Sequence, residues 1–177
     1  MFPSITNFII ASDSLSRALY FFTTVFPILV LLASLAYVWK RPRMEKGMFA
    51  PIERIVDRSS ELFRISLTLV AVWIAAALLK TATHVSRPFL VDVHLHPLFL
   101  LHDFSFPSQH AAIFAALAVL LFAMNRRAGV FAGSAALLIG IARILAGVHT
   151  PLDIMGGYVL GFIFAYFVIR ISRLQKQ

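Results

Sequence analysis

The sequence predicts an all-α polytopic membrane protein, one bundle of five transmembrane helices. Three observations predict it. Of 177 residues, 60% are hydrophobic and 14% charged, with a mean hydropathy of +0.86, well beyond the apolar share of about half found in soluble domains. The apolar residues gather into five stretches, each at or near the roughly 17–25 residues that a bilayer-crossing helix needs. The basic residues then sort between the connections as cytoplasmic retention of Lys and Arg requires.

The first span is placed at Ala18–Trp39 and the second at Leu62–Leu79. The third, Gln109–Met124, is short and borrows length from a polar mouth. The fourth is Ala128–Val148 and the fifth Pro151–Ile171. A segment around Ile5–Leu15 is amphipathic and reads as a partial or surface-lying helix. The first residues carry neither a basic leader nor a small-residue cleavage site, so no cleaved signal peptide is expected. With no cysteine in the chain, disulfides, thiolate metal sites and cysteine nucleophiles are excluded. No internal repeat or low-complexity tract divides it, so residues 1–177 are expected to form one domain.

The loop from Lys40 to Arg58 holds Lys40, Arg41, Arg43, Lys46, Arg54 and Arg58; Arg126 and Arg127 join spans three and four; Arg170, Arg173 and Lys176 close the chain. Five alternating spans put all three segments on one side, which is then the cytoplasm, together with the C-terminus. The opposite side keeps Arg17, Lys80, Arg87 and Arg143, and the last three need a reason other than topology.

Three clusters meet on that outer side: "KTATHVSRPF" with Lys80 and Arg87, "FPSQH" with Ser108, Gln109 and His110, and "ARILAGVHTPLD" with Arg143, His149 and Asp153. Ser108 is expected to cap span three. Thr150 caps span five, with Pro151 at its first helical position and Asp153 at its third. Two helix N-termini facing one point make an anion site, and three cations around it suit a phosphate. His149 and Asp153, four residues apart, can approach so that the carboxylate holds one ring nitrogen and frees the other for attack. His110, from another helix, is suited to proton transfer. Taken singly, each residue has an ordinary reading: Asp153 a cap, His110 an interface residue, Lys80 and Arg143 snorkelling cations. Agreement in type, order, spacing and membrane side favours a shared site.

The pattern of Lys80 and Arg87-Pro88, then Pro107-Ser108-Gln109-His110, then Arg143, His149 and Asp153 resembles the three-part signature of the type 2 phosphatidic acid phosphatase superfamily. Within it, "SFPSQHA" and the compact chain are most similar to undecaprenyl diphosphate phosphatases of the bacitracin-resistance type. The resemblance implies a nucleophilic His149 that forms a phosphohistidine, Asp153 orienting it, and His110 as general acid and later base. Lys80, Arg87, Ser108, Gln109 and Arg143 would bind phosphate, with no cofactor and no required metal. The implied partners are a lipid phosphate or diphosphate and membrane lipids, not nucleic acid; oligomeric state is not set. Phosphatidylglycerol phosphate, phosphatidic acid and lipid A phosphates are alternative substrates. Two positions depart from the usual pattern: Gln109, where the family has Gly or an acidic residue, and Ala142, where it often has Ser.

Two other features have competing readings. His94, His96 and His102 in "HLHPLFLLH" are expected to face solvent or gate substrate, with Asp92 and Asp103 near enough to keep a metal site open. An anion transporter would need polar residues at several depths, whereas spans three and five are apolar inside. "GGYVLG", with Gly156, Gly157 and Gly161, reads as close helix packing.

Overall fold

The computed structural model describes residues 3–41 and 50–174. Arg43, Lys46 and Lys176, three of the basic residues that set the expected topology, lie outside the described residues. The regular structure of the described residues is all helix, with one long loop between α5 and α6: α1 Pro3–Ala11, α2 Asp13–Tyr20, a π turn at Phe21–Val25, α3 Phe26–Lys40, α4 Ala50–Thr83, the single turn α5 Pro88–Val91, α6 Gln109–Met124, α7 Arg126–Leu145 and α8 Pro151–Leu174. Four helical stretches are long and apolar enough to cross a membrane: Asp13–Lys40, Ile55–Val91, Arg126–Leu145 and Pro151–Arg173. The fifth expected span, α6, is a shorter apolar helix of 16 residues.

The N-terminal segment is not one amphipathic helix. Nine residues of α1 extend about 13 Å at 1.5 Å each, too short to span. Ser12, in extended conformation, then restarts the chain as α2. Asn7 pins α1 to the loop after α5: its Nδ2 donates to the His94 carbonyl (2.6 Å) and its Oδ1 accepts from the His96 amide (3.0 Å). The π turn has a local cause. Pro27 has no N–H for the carbonyl four residues earlier, and its ring crowds that carbonyl. A wider turn relieves both, while Thr23 Oγ1 donates back to the carbonyls of Leu19 (2.9 Å) and Tyr20 (3.1 Å).

The second span is longer than its apolar core. α4 has 34 residues, about 51 Å, and begins within the stretch expected to be loop up to Arg58. Pro51 stands in its first turn, where a missing N–H costs nothing. From there to Thr83 no glycine or proline interrupts the helix. At the far end His84 adopts a positive φ of 51° and its amide closes on the Lys80 carbonyl (3.1 Å), turning the chain toward Arg87.

At the centre stands α6, packed against α8, α7 and α4. Ala111, Ala112, Ala116 and Leu117 are fully buried, and Phe114, Leu120 and Leu121 nearly so. Glycine makes the closest approach. A Cβ on Gly161 would lie 2.1 Å from the Ala112 carbonyl oxygen, and one on Gly157 would lie 2.5 Å from that of Ser108. No side chain fits there, so α8 lies directly on α6. A single residue, Asn125, joins α6 to α7 and caps α7 by accepting from the Ala128 amide (3.1 Å). Arg126 and Arg127, expected to link the two helices, instead start α7. This packing leaves the starts of α6 and α8 and the ends of α4 and α7 at one end of the bundle.

Candidate active site

Three turns deliver the site residues to that end. α7 finishes at Gly147, whose φ of +71° lets the amides of Ala146, Gly147 and Val148 close on the carbonyls of Ala142, Ile144 and Arg143. His149 follows, 3% exposed. Thr150 and Asp153 then cap α8 reciprocally: the Asp153 amide donates to Thr150 Oγ1 (3.2 Å) and the Thr150 amide to Asp153 Oδ2 (2.6 Å). Ser108 caps α6, accepting from the Ala111 amide at 3.5 Å. Its own amide donates to the Asp153 carbonyl (2.9 Å), so the two helix starts are tied together.

His149 presents Nδ1 to Asp153, 3.6 Å from Oδ2. That is longer than a hydrogen bond, so the carboxylate faces the ring without bonding it directly. The same Oδ2 accepts from Ser105 Oγ at 2.6 Å, and Ser105 Oγ lies 3.5 Å from His149 Nδ1. Ser105, fully buried, therefore bridges the pair. With Nδ1 turned to this group, Nε2 is the nitrogen left for a substrate. Burial, the largest influence, lowers the imidazole to about 4 with help from Arg143 and Arg87, against the opposing pull of Asp153. His110, half-buried in the first turn of α6, lies within Coulombic range of Arg143, His149, Lys80 and Arg87.

The three cations differ. Arg87, 1% exposed, joins three loops. Nη1 donates to the Val148 carbonyl (2.7 Å), Nε to the Asp103 carbonyl (2.9 Å) and Nη2 to Asp103 Oδ1 (2.5 Å). Lys80 Nζ donates to Asp103 Oδ2 and to the Phe104 carbonyl, both at 2.6 Å. Arg143 is 5% exposed and its Nε has no hydrogen-bond partner; its guanidinium lies over the Phe99 ring, 5.4 Å from the centroid. A buried guanidinium N–H without a partner is costly unless an anion meets it.

The three cations expected around the site are not all uncompensated, because Lys80 and Arg87 share the single carboxylate of Asp103. Burial raises its carboxyl, but hydrogen bonds from Lys80 and Arg87 outweigh this and bring it to about 2. Asp103 was weighed as a possible metal ligand beside the histidines; its oxygens serve these cations instead. Ser105 was not singled out at all. Both lie in "DFSFPSQH", directly before the FPSQH cluster, and that adjacency was the available signal. Gln109 is placed apart from the other candidates: its Nε2 donates to the Trp73 carbonyl of α4 (3.4 Å). His94, His96 and His102 have exposed side chains.

The PAP2 superfamily matches residues 61–177 of this sequence. The chain belongs to the PAP2 superfamily. Related PAP2 proteins include the undecaprenyl-diphosphatase of Sulfolobus acidocaldarius, 32% identical over 62% of this chain and 56% of that protein. The undecaprenyl-diphosphatase BcrC of Bacillus subtilis is 34% identical over 51% and 47%. The bacitracin transport permease protein BcrC of Bacillus licheniformis is 41% identical over 37% and 32%. The matched part of the chain thus spans no more than 56% of these relatives. The fold is shared with the transmembrane PAP2 type phosphatidylglycerolphosphate phosphatase of Bacillus subtilis, at a TM-score of 0.68, 21% identity and coverage of 97% of this chain and 84% of that one. Aquifex aeolicus LpxE has the same TM-score at 22% identity, with coverage of 94% and 93%. The chain is thus a multi-span membrane member of the PAP2 superfamily.

Proposed function

We propose that this phosphatase hydrolyses a polyprenyl diphosphate to the monophosphate at the outer face of a cytoplasmic membrane, by way of a phosphohistidine and without a metal. The observation that carries the phosphate reading is Arg143, a buried cation with an unpartnered Nε beside two helix N-termini and two histidines. The names of the sequence relatives favour an undecaprenyl diphosphate substrate. The named structural neighbours keep phosphatidylglycerol phosphate and other lipid phosphates as the second reading.

In the proposed reaction His149 Nε2 attacks the terminal phosphorus. The bond from phosphorus to the bridging oxygen breaks, and protonated His110 gives its proton to that oxygen. Asp153, held by Ser105 and Thr150, steadies the ring and offsets the positive charge it gains. Arg143, Lys80, Arg87 and the amides at the starts of α6 and α8 take up the phosphoryl oxygens. Gln109 contributes its backbone rather than its amide side chain. Neutral His110 then removes a proton from water, which attacks phosphorus; the phosphorus–nitrogen bond breaks and inorganic phosphate leaves. Five crossings, with α6 completed by its polar mouth, put Arg41, Arg58, Arg126, Arg170 and Arg173 on the cytoplasmic side and the site on the other.

The test supplies purified protein, with chelator and no added metal, with undecaprenyl diphosphate, phosphatidylglycerol phosphate and phosphatidic acid in turn. Fastest phosphate release from the diphosphate is expected. A clear preference for another lipid would reassign the substrate, and release from none of the three would refute the enzyme.

A further inference from the structure

Asp103 pairs with two of the cations that a bound phosphate would use. Its two carboxylate oxygens take Lys80 Nζ at 2.6 Å and Arg87 Nη2 at 2.5 Å, while its side chain is still 49% exposed. Its backbone is fixed separately, because Arg87 Nε donates to the Asp103 carbonyl. The donors are not exhausted. Arg87 has five N–H groups and makes three bonds; Lys80 has three and makes two. Both cations therefore keep N–H groups for a phosphoryl group while still holding Asp103. The carboxylate charge then stays beside the bound anion.

The charge balance gives this a consequence. Lys80, Arg87 and Arg143 against Asp103 and Asp153 leave a net charge of +1, and without Asp103 it would be +2. A lipid substrate has its hydrocarbon tail as a second hold, whereas free inorganic phosphate is held by charge and hydrogen bonds alone. A nearby carboxylate thus weakens retention of the product more than that of the substrate.

We propose that Asp103 is a positioning and product-release residue: it fixes Lys80 and Arg87 and keeps the hold on inorganic phosphate weak. This deepens the phosphatase reading and rests on it. The experiment compares wild type with Asp103→Asn, which keeps the side-chain shape and one acceptor but removes the charge. Lipid diphosphate hydrolysis is followed with inorganic phosphate as the competing inhibitor. Loss of one nearby charge should lower the Ki of phosphate by on the order of tenfold, with a lower kcat and no rise in KM for the lipid. An unchanged or higher Ki overturns the proposal. If Asp103→Asn does not fold, Asp103→Ser has the same expected Ki; failure of both to fold would make Asp103 a structural clamp and equally overturn it. Wild type that turns over, beside a variant of unchanged Ki, sinks this assignment alone; wild type inactive on every lipid sinks the phosphatase reading with it.

Discussion

His149 is held in a form unlike that of a free histidine. Its ring stays neutral down to about pH 4, so its nucleophilic form is already present at neutral pH. An imidazole titration by NMR in detergent should find its midpoint near 4; a midpoint at or above 6 would show that the site does not desolvate it. The same shift bears on stability. The folded value lies below the ordinary 6.5, so between the two the unfolded chain binds the extra proton. Stability from this group is complete above about pH 6.5 and is lost as pH falls toward 4. Ser105 is a second residue-scale test. Its hydroxyl is buried and donates at 2.6 Å to Asp153, so Ser105→Ala leaves a buried carboxylate one donor short. We expect a loss of about 1–3 kcal/mol, read by thermal unfolding, together with lower kcat. Full stability and full kcat would remove Ser105 from the site.

Among the elements, the pairing of α6 with α8 decides whether the two histidine-bearing helix starts meet. Gly157 and Gly161 permit it, and Gly133 on α7 is the internal comparison, since a Cβ there meets nothing within 4 Å. Gly161→Ala should destabilise by about 1–3 kcal/mol through overpacking and reduce turnover, whereas Gly133→Ala should be neutral or stabilise by up to about 1 kcal/mol. Equal melting temperatures for the two variants would contradict the packing described. Much of this was legible beforehand. The apolar runs and the "TPLD" and "FPS" caps located α6, α7 and α8 closely, because their ends are set by local chemistry. The polar extension of α4 and the π turn before Pro27 were not legible. The first is a helix continuing past its apolar stretch, and the second depends on how one proline is accommodated. The pairing of Asp103 was likewise not legible, since its partners are 23 and 16 residues away in sequence and only the folded loops bring them together.

For the whole molecule, the proposed orientation has a direct check because the chain has no cysteine. Single cysteines placed at exposed His102 and exposed Arg126 lie at opposite ends of the bundle. In intact cells a membrane-impermeant thiol reagent should label His102→Cys and not Arg126→Cys; the reverse pattern would turn the site to the cytoplasm. The central claim is that phosphate passes through His149 itself. Its most direct test mixes enzyme with undecaprenyl diphosphate, quenches within a turnover in base, where phosphohistidine survives, and reads the attachment site by mass spectrometry. One phosphoryl group on His149, absent from His149→Ala, is the expected result; active enzyme with no covalent phosphate, or phosphate on another residue, would contradict it.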